Sequence, residues 1–129
     1  MREIKFRAFD KKEKEMFYSE TYQSKTSMSF GLSNFLREIS DIEDTLMQYT
    51  GSKDKNRVEI YEGDILEAFD ILGEREIYPV IFIDGAFMGK RLDDEEFPYF
   101  YLFANKSLSK TYKVIGNIYE SPELLEEKK

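Results

Sequence analysis

A chain with no histidine and no cysteine lacks the usual proton shuttle, the thiol nucleophile and the commonest metal ligands. Its chemistry must come from carboxylates, lysine, tyrosine and serine. Glu62 and Asp64, two apart across Gly63, could converge on a metal or act as an acid and base pair. Asp after Gly is turn chemistry first, however, and that reading has Asp64 bonding its own turn backbone. The run Asp93-Asp94-Glu95-Glu96 offers the oxygen ligands that Mg²⁺ or Ca²⁺ takes. Adjacent acids on an extended segment point to opposite sides, so the run reads as a solvated loop. Ser107 and Lys110 match the Ser-x-x-Lys spacing of a lysine-activated nucleophile. They lie in a polar stretch, Asn105 to Lys110, that keeps the lysine charged and a poor base. No catalytic, metal or cofactor residue is assigned, and the chain reads as a non-enzyme; a carboxylate-metal hydrolase is the least favoured function.

Two features favour binding instead. Arg2, Lys5 and Arg7, on the polar side of a first strand, together with Lys53, Lys55 and Arg57 in a later turn, form a candidate phosphate-tracking surface. Tyr99, Tyr101 and Phe103 share one face of an aromatic strand, where rings can stack on single-stranded bases. Each has a plainer counterpart, since exposed turns need charge for solubility and alternating aromatics usually face a core. The net charge of -7, from 26 acids against 19 bases, repels phosphate at long range and places nucleic acid behind a protein partner.

The elements that position these residues are mostly strands. Ile4, Phe6 and Ala8 alternate with Lys5, Arg7 and Phe9, the period of a half-buried strand, and Asp10 to Lys14 turns the chain into Met16-Phe17-Tyr18. A short helix is predicted after an N-cap at Ser33, with Phe35, Leu36, Ile39 and Ile42 on one face. Leu46 to Tyr49 and Glu59 to Tyr61 flank a turn through Gly51 to Asn56, a second hairpin. Asp84-Gly85 joins Val80 to Ile83 with Ala86 to Met88 in a two-residue hairpin, which pairs Ile83 with Ala86, Phe82 with Phe87 and Ile81 with Met88. Both faces of that hairpin are apolar, so it is expected to be covered on two sides or to self-associate through Phe82, Phe87, Ile81 and Met88. Tyr99 to Phe103 and Lys113 to Tyr119 complete the strands, with a bulge at Gly116. Ser121-Pro122-Glu123 starts a closing helix.

Three segments carry a family resemblance: the opening REIKFRAFD from Arg2 to Asp10, the stretch MQYTGSKDKNRVEIYEGDI from Met47 to Ile65, and VIGNIYESPELL from Val114 to Leu125. Together they resemble the YopX family of small phage and prophage proteins. The resemblance implies a β-rich fold and a phage or prophage genome, and it supplies no reaction. At Asn56 the chain departs from the family pattern, in which Gly commonly follows; here Arg57 does, which bears directly on the turn geometry.

The 129 residues, 41% hydrophobic and 16% aromatic, fit one domain spanning 1–129. The expected fold is mainly β, a small strongly curved antiparallel barrel or sandwich with one or two short helices. The absence of cysteine, of a signal peptide and of any stretch of roughly 20 apolar residues points to the bacterial cytoplasm and away from a membrane. The function read from the sequence is a non-enzymatic accessory protein that binds a protein partner, with a single-stranded nucleic-acid binder as the alternative and a homo-oligomer expected.

Overall fold

Strand β1 (Phe6–Asp10) pairs antiparallel with β2 (Glu15–Tyr18) in the register Ala8 to Phe17. In the turn between them Asp10 Oδ1 accepts the Lys12 and Glu13 amides at 2.9 and 3.0 Å, and Lys14 takes a positive φ of 55°. The computed structural model describes residues 3–21, 32–102 and 111–126, which divide into two compact units, Met1–Tyr49 and Thr50–Lys129.

In the first unit, helix α1 (Leu32–Glu38) lays Phe35 against Ala8, and Ile39, just beyond the helix, joins the same buried cluster. The predicted face extended to Ile42, but the α-helix ends earlier. A 3-10 segment, Ser40–Thr45, follows with Ile42 out of helical geometry at φ -127° and ψ 21°. Leu36, expected on the buried face, is 41% exposed. The break delivers buried Thr45 to the middle of β1, where its Oγ1 accepts the Phe9 amide at 2.9 Å and lies 2.8 Å from the carbonyls of Phe9 and Ile42. A backbone amide in the buried strand thereby gains a side-chain partner. Strand β3 (Met47–Lys53) opens by pairing with β1, Phe6 opposite Gln48 and Arg7 opposite Met47.

The expectation that Lys5 and Arg7 form a solvent side of the first strand is corrected by their burial, 7% and 4% exposed. Burying a cation is costly unless partners replace water. Lys5 Nζ has them in Glu3 at 3.3 Å, Glu20 at 3.5 Å and the Tyr49 ring at 4.8 Å. The strand itself begins at Phe6, leaving Ile4 63% exposed.

In the second unit, β4 (Glu59–Tyr61) lies beside the far part of β3, and Thr50 Oγ1 donates to the Ile60 carbonyl at 2.7 Å. A five-stranded antiparallel sheet follows: β5 (Asp64–Phe69), β6 (Arg75–Ile83), β7 (Ala86–Lys90), β8 (Tyr99–Tyr101) and β9 (Lys113–Asn117), in the order β8-β7-β6-β5-β9. Its inner side carries the core of Leu66, Ala68, Val80, Leu102 and Tyr112, joined by Ile60 and edged by Tyr78, Phe87, Phe100 and Val114. Asp84 and Gly85 both take positive φ, 52° and 80°, the conformation that a two-residue hairpin following the twist of its strands requires. The register is the predicted one. Opposite Ile65 and Leu66 the ladder slips at β9, pairing them with Gly116 and Val114, so the bulge adjoins Gly116 as expected.

Helix α2 (Glu123–Glu126) starts where Ser121 and Pro122 predict. A Cβ at Gly116 would meet Ser121 Oγ at 2.6 Å and Leu124 Cδ1 at 3.1 Å, so the missing side chain is what lets this helix lie on the outer side of β9 and β5. The architecture is mainly β, with a strongly curled antiparallel sheet and two short helices.

Candidate binding surfaces

Two of the candidate carboxylates, Asp64 and Asp94, are engaged by backbone. Asp64 is 2% exposed and its Oδ2 accepts the Tyr61 amide at 2.7 Å, the turn role rather than a catalytic pair with Glu62. In the acidic run, Asp94 Oδ1 accepts the amides of Glu96 and Phe97 at 3.1 and 2.9 Å, closing a loop on itself. Among the described residues no three Asp, Glu, His or Cys side chains gather into a metal-holding group. Ser107, Lys110 and Phe103 lie outside the described residues, as does Arg2.

Lys53 at the end of β3, and Lys55 and Arg57 on the turn that follows, are exposed, and the turn is held by a residue that the sequence reading missed. Asp54 is 6% exposed, and its Oδ1 accepts the Asn56 and Val58 amides at 2.8 and 2.9 Å while its Oδ2 accepts Val114 N–H at 2.9 Å. Its own amide donates to the Val58 carbonyl and its carbonyl accepts the Arg57 amide. Arg57 consequently sits at φ 67°, the left-handed region that glycine enters without cost. Lys5 and Arg7 in the first unit are enclosed, whereas the three residues of the second unit are exposed.

Cross-strand partners share a face, so the register sorts the β6–β7–β8 residues into two sets. Phe82, Phe87, Gly89 and Phe100 belong to the inner side. Phe87 packs on the core, and Phe82, 50% exposed, rests its ring 4.9 Å from that of Phe87. A Cβ at Gly89 would lie 2.6 Å from Phe100 Cζ, so that ring lies directly over the glycine. It meets Tyr78 edge-on at 4.7 Å and carries the Arg91 guanidinium at 4.4 Å.

The other face runs Ile77, Pro79, Ile81 and Ile83 on β6, Ala86, Met88 and Lys90 on β7, and Tyr99 and Tyr101 on β8. Its inner end, Ile65, Ile77 and Pro79, is buried on the side that α2 occupies. Beyond the helix cover thins: Ile81, Ile83, Ala86 and Met88 are half-buried, and Tyr99 and Tyr101 are 42% and 63% exposed. The tyrosines are thus outward, against the plain expectation that an alternating aromatic strand is core, because Phe100 alone fills the inward position. Met88 stands opposite both Ile81 and Tyr101, and Lys90 opposite Tyr99.

Burial raises the phenol pKa of Tyr78 above its ordinary 10.0, with the Glu76 charge adding to it, and burial does the same for Tyr112, where Arg91 opposes. Both hydroxyls are therefore neutral acids in the native protein.

The family model for the YopX protein matches residues 5–126, through both compact units. The chain belongs to the YopX family. Its fold is also similar to the crystal structure of protein EF1440 from Enterococcus faecalis, with a TM-score of 0.61 and 30% identity over 97% of this chain and 99% of that one. None of the curated proteins matches. In this member of the YopX family the residues that sequence reasoning missed are Asp54 and the Asp70–Glu74 turn between β5 and β6. There Ile71 and Leu72 are 101% and 81% exposed. The available signal was the Asp-x-x-Gly spacing from Asp70 to Gly73.

Proposed function

We propose that this member of the YopX family is a non-enzymatic binding module of a phage or prophage, working in the cytoplasm of the bacterial host as a single functional domain, and that its principal ligand is a protein. The observation that carries this reading is the outer face of β6–β7–β8, where Ile81, Met88 and Tyr101 form a contiguous row across three strands with the helix cover ending short of it. Large apolar and tyrosine side chains beside a polar rim are the composition of protein-binding patches. Chemistry is not part of the proposal, because Asp64 and Asp94 are bonded to nearby backbone amides.

The test is affinity capture from host cells carrying the phage genes, comparing the wild-type chain with Met88→Glu and Tyr101→Ser. The reading requires one protein to be retained by wild type and lost from both variants, with unchanged far-ultraviolet circular dichroism. Equal recovery on all three chains removes this face from the account.

A second reading rests on Tyr99 and Tyr101 lying outward on one strand with Lys90 beside them, an arrangement on which single-stranded bases can stack. The charge of -7 weighs against it. Binding of a labelled oligonucleotide tighter than about 1 µM at near-physiological salt, weakened by Tyr101→Ser, would reverse the order of the two readings.

A further inference from the structure

The sheet has a second exposed apolar feature, at its opposite end. β6 is nine residues long, so at about 3.3 Å per residue the Asp70–Glu74 turn lies roughly 25–30 Å from the Asp84-Gly85 hairpin. Its backbone is tied down: Asp70 Oδ1 accepts the Leu72 and Glu74 amides at 2.9 and 2.8 Å, Asp70 N–H donates to the Glu74 carbonyl at 2.9 Å, and Gly73 N–H donates to the Asp70 carbonyl at 3.0 Å. Gly73 takes φ 81°. Ile71 and Leu72 project from this rigid turn, with Phe69 59% exposed beside them and Asp70, Glu74 and Glu76 around them. Arg75, which follows the turn, is engaged by Glu67 at 2.7 Å.

The Asp54–Val58 turn has the same bonding plan. Two amides reach the Asp Oδ1, the Asp amide reaches the carbonyl four residues on, and the fourth residue has positive φ. Its outward residues are of opposite character: Lys55 and Arg57, with Lys53 before them and Val58 48% exposed. Both turns sit at one end of the second unit. Lys55 N–H donates to the Tyr112 carbonyl, Asp54 holds Val114, and Lys113 between them stands opposite Glu67, two residues before Phe69.

We infer that this end of the molecule binds a second copy of the chain, the acid-rimmed Ile71-Leu72 turn of each copy seating on the basic Lys53–Val58 turn of the other. Charge complementarity selects this occupant. A two-fold axis through an end that carries both signs satisfies both contacts at once, as an isologous interface must. Arg57 in a backbone conformation that favours glycine is the second mark, since backbone strain clusters at functional sites. A pre-ordered turn also loses little entropy on docking. The interface leaves the β6–β7–β8 face free at the far end, so the pair would present two partner faces and gain avidity for a divalent or clustered partner.

Sedimentation velocity of the full chain tests this. Wild type is expected to form a species of twice 15.3 kDa with a dissociation constant at or below about 10 µM, weakening as salt is raised. Lys53→Glu with Lys55→Glu makes both turns acidic, and Glu74→Lys with Glu76→Lys makes both basic. Each double variant alone should be monomeric, and their equimolar mixture should recover the dimer. Ile71→Ser with Leu72→Ser, at solvent positions where folding is untouched, should lower self-affinity at least tenfold. A monomeric wild type, a mixture that stays monomeric, or a dimer broken by Met88→Glu and not by the turn variants would overturn the inference.

Discussion

The Asp54 and Asp70 turns share one hydrogen-bond plan and differ in nearly everything placed upon it. In the first the aspartate is buried and its second oxygen reaches across to Val114, and the left-handed position holds Arg57. In the second the aspartate is exposed and the left-handed position holds Gly73. The difference teaches that the same local device can be structural in one place and a mount for side chains in another. Burial of the acceptor decides which, because only a buried amide cannot turn to water when its partner is removed.

The largest expected effect follows from that asymmetry. Asp54→Ala would remove a buried acceptor shared by three part-buried amide bonds, those of Asn56, Val58 and Val114, and should cost about 3 kcal/mol of unfolding free energy, measured by urea titration. Asp70→Ala leaves its amides open to solvent and should cost about 1 kcal/mol or less. Equal losses would erase the distinction drawn between the turns.

Alkaline titration sharpens the comparison from the core side, because Tyr112 belongs to the backbone that receives Lys55. The native pKa values of Tyr78 and Tyr112 are raised above 10.0, mainly by burial. The native state therefore holds these protons more tightly than the unfolded chain does. The resulting stabilisation is complete below pH 10 and is lost as pH rises through the raised values. The urea midpoint should hold level up to about pH 10 and then fall, and Tyr78→Phe with Tyr112→Phe should flatten the decline. A midpoint with the same alkaline slope in both chains contradicts the assignment.

The smallest effects come from exchanging the left-handed residues. Arg57→Gly relieves a strained φ and is expected to raise stability by about 0.5 kcal/mol, with self-affinity falling. Gly73→Ala, whose added Cβ meets nothing within 4 Å, should lower stability by about 1 kcal/mol through backbone strain alone. Stabilisation by Arg57→Gly without any loss of self-association would leave the arginine unexplained.

Legibility in the sequence followed the range of the interactions. The Asp84-Gly85 hairpin, its register and the Ser121-Pro122 helix start all depend on residues a few positions apart, and each stands where it is expected. Burial of Lys5 rests on Glu20 and Tyr49, partners too distant in sequence for period-two alternation to reveal. The helix through Ile42 failed for a related reason: Thr45 reaches Phe9, 36 residues away, and the chain leaves α-geometry on the way. Asp54 and Asp70 were hidden differently. A charged residue in a polar turn looks solvated, and Ile71-Leu72 looks like strand, so neither pattern shows that one carboxylate organises five residues. Of the candidate surfaces, Tyr99 and Tyr101 were legible as a shared face, whereas their outward direction was set by Phe100 filling the space above Gly89.

A single experiment reaches both ends of the sheet: a photo-activated cross-linking amino acid placed at residue 101 in one chain and at residue 72 in another, each illuminated inside bacterial cells. The account predicts that position 101 yields an adduct with a different protein and that position 72 yields an adduct of twice 15.3 kDa made of two copies of this chain. Nucleic-acid adducts at 101, or copies of the chain captured at 101 and none at 72, would contradict it.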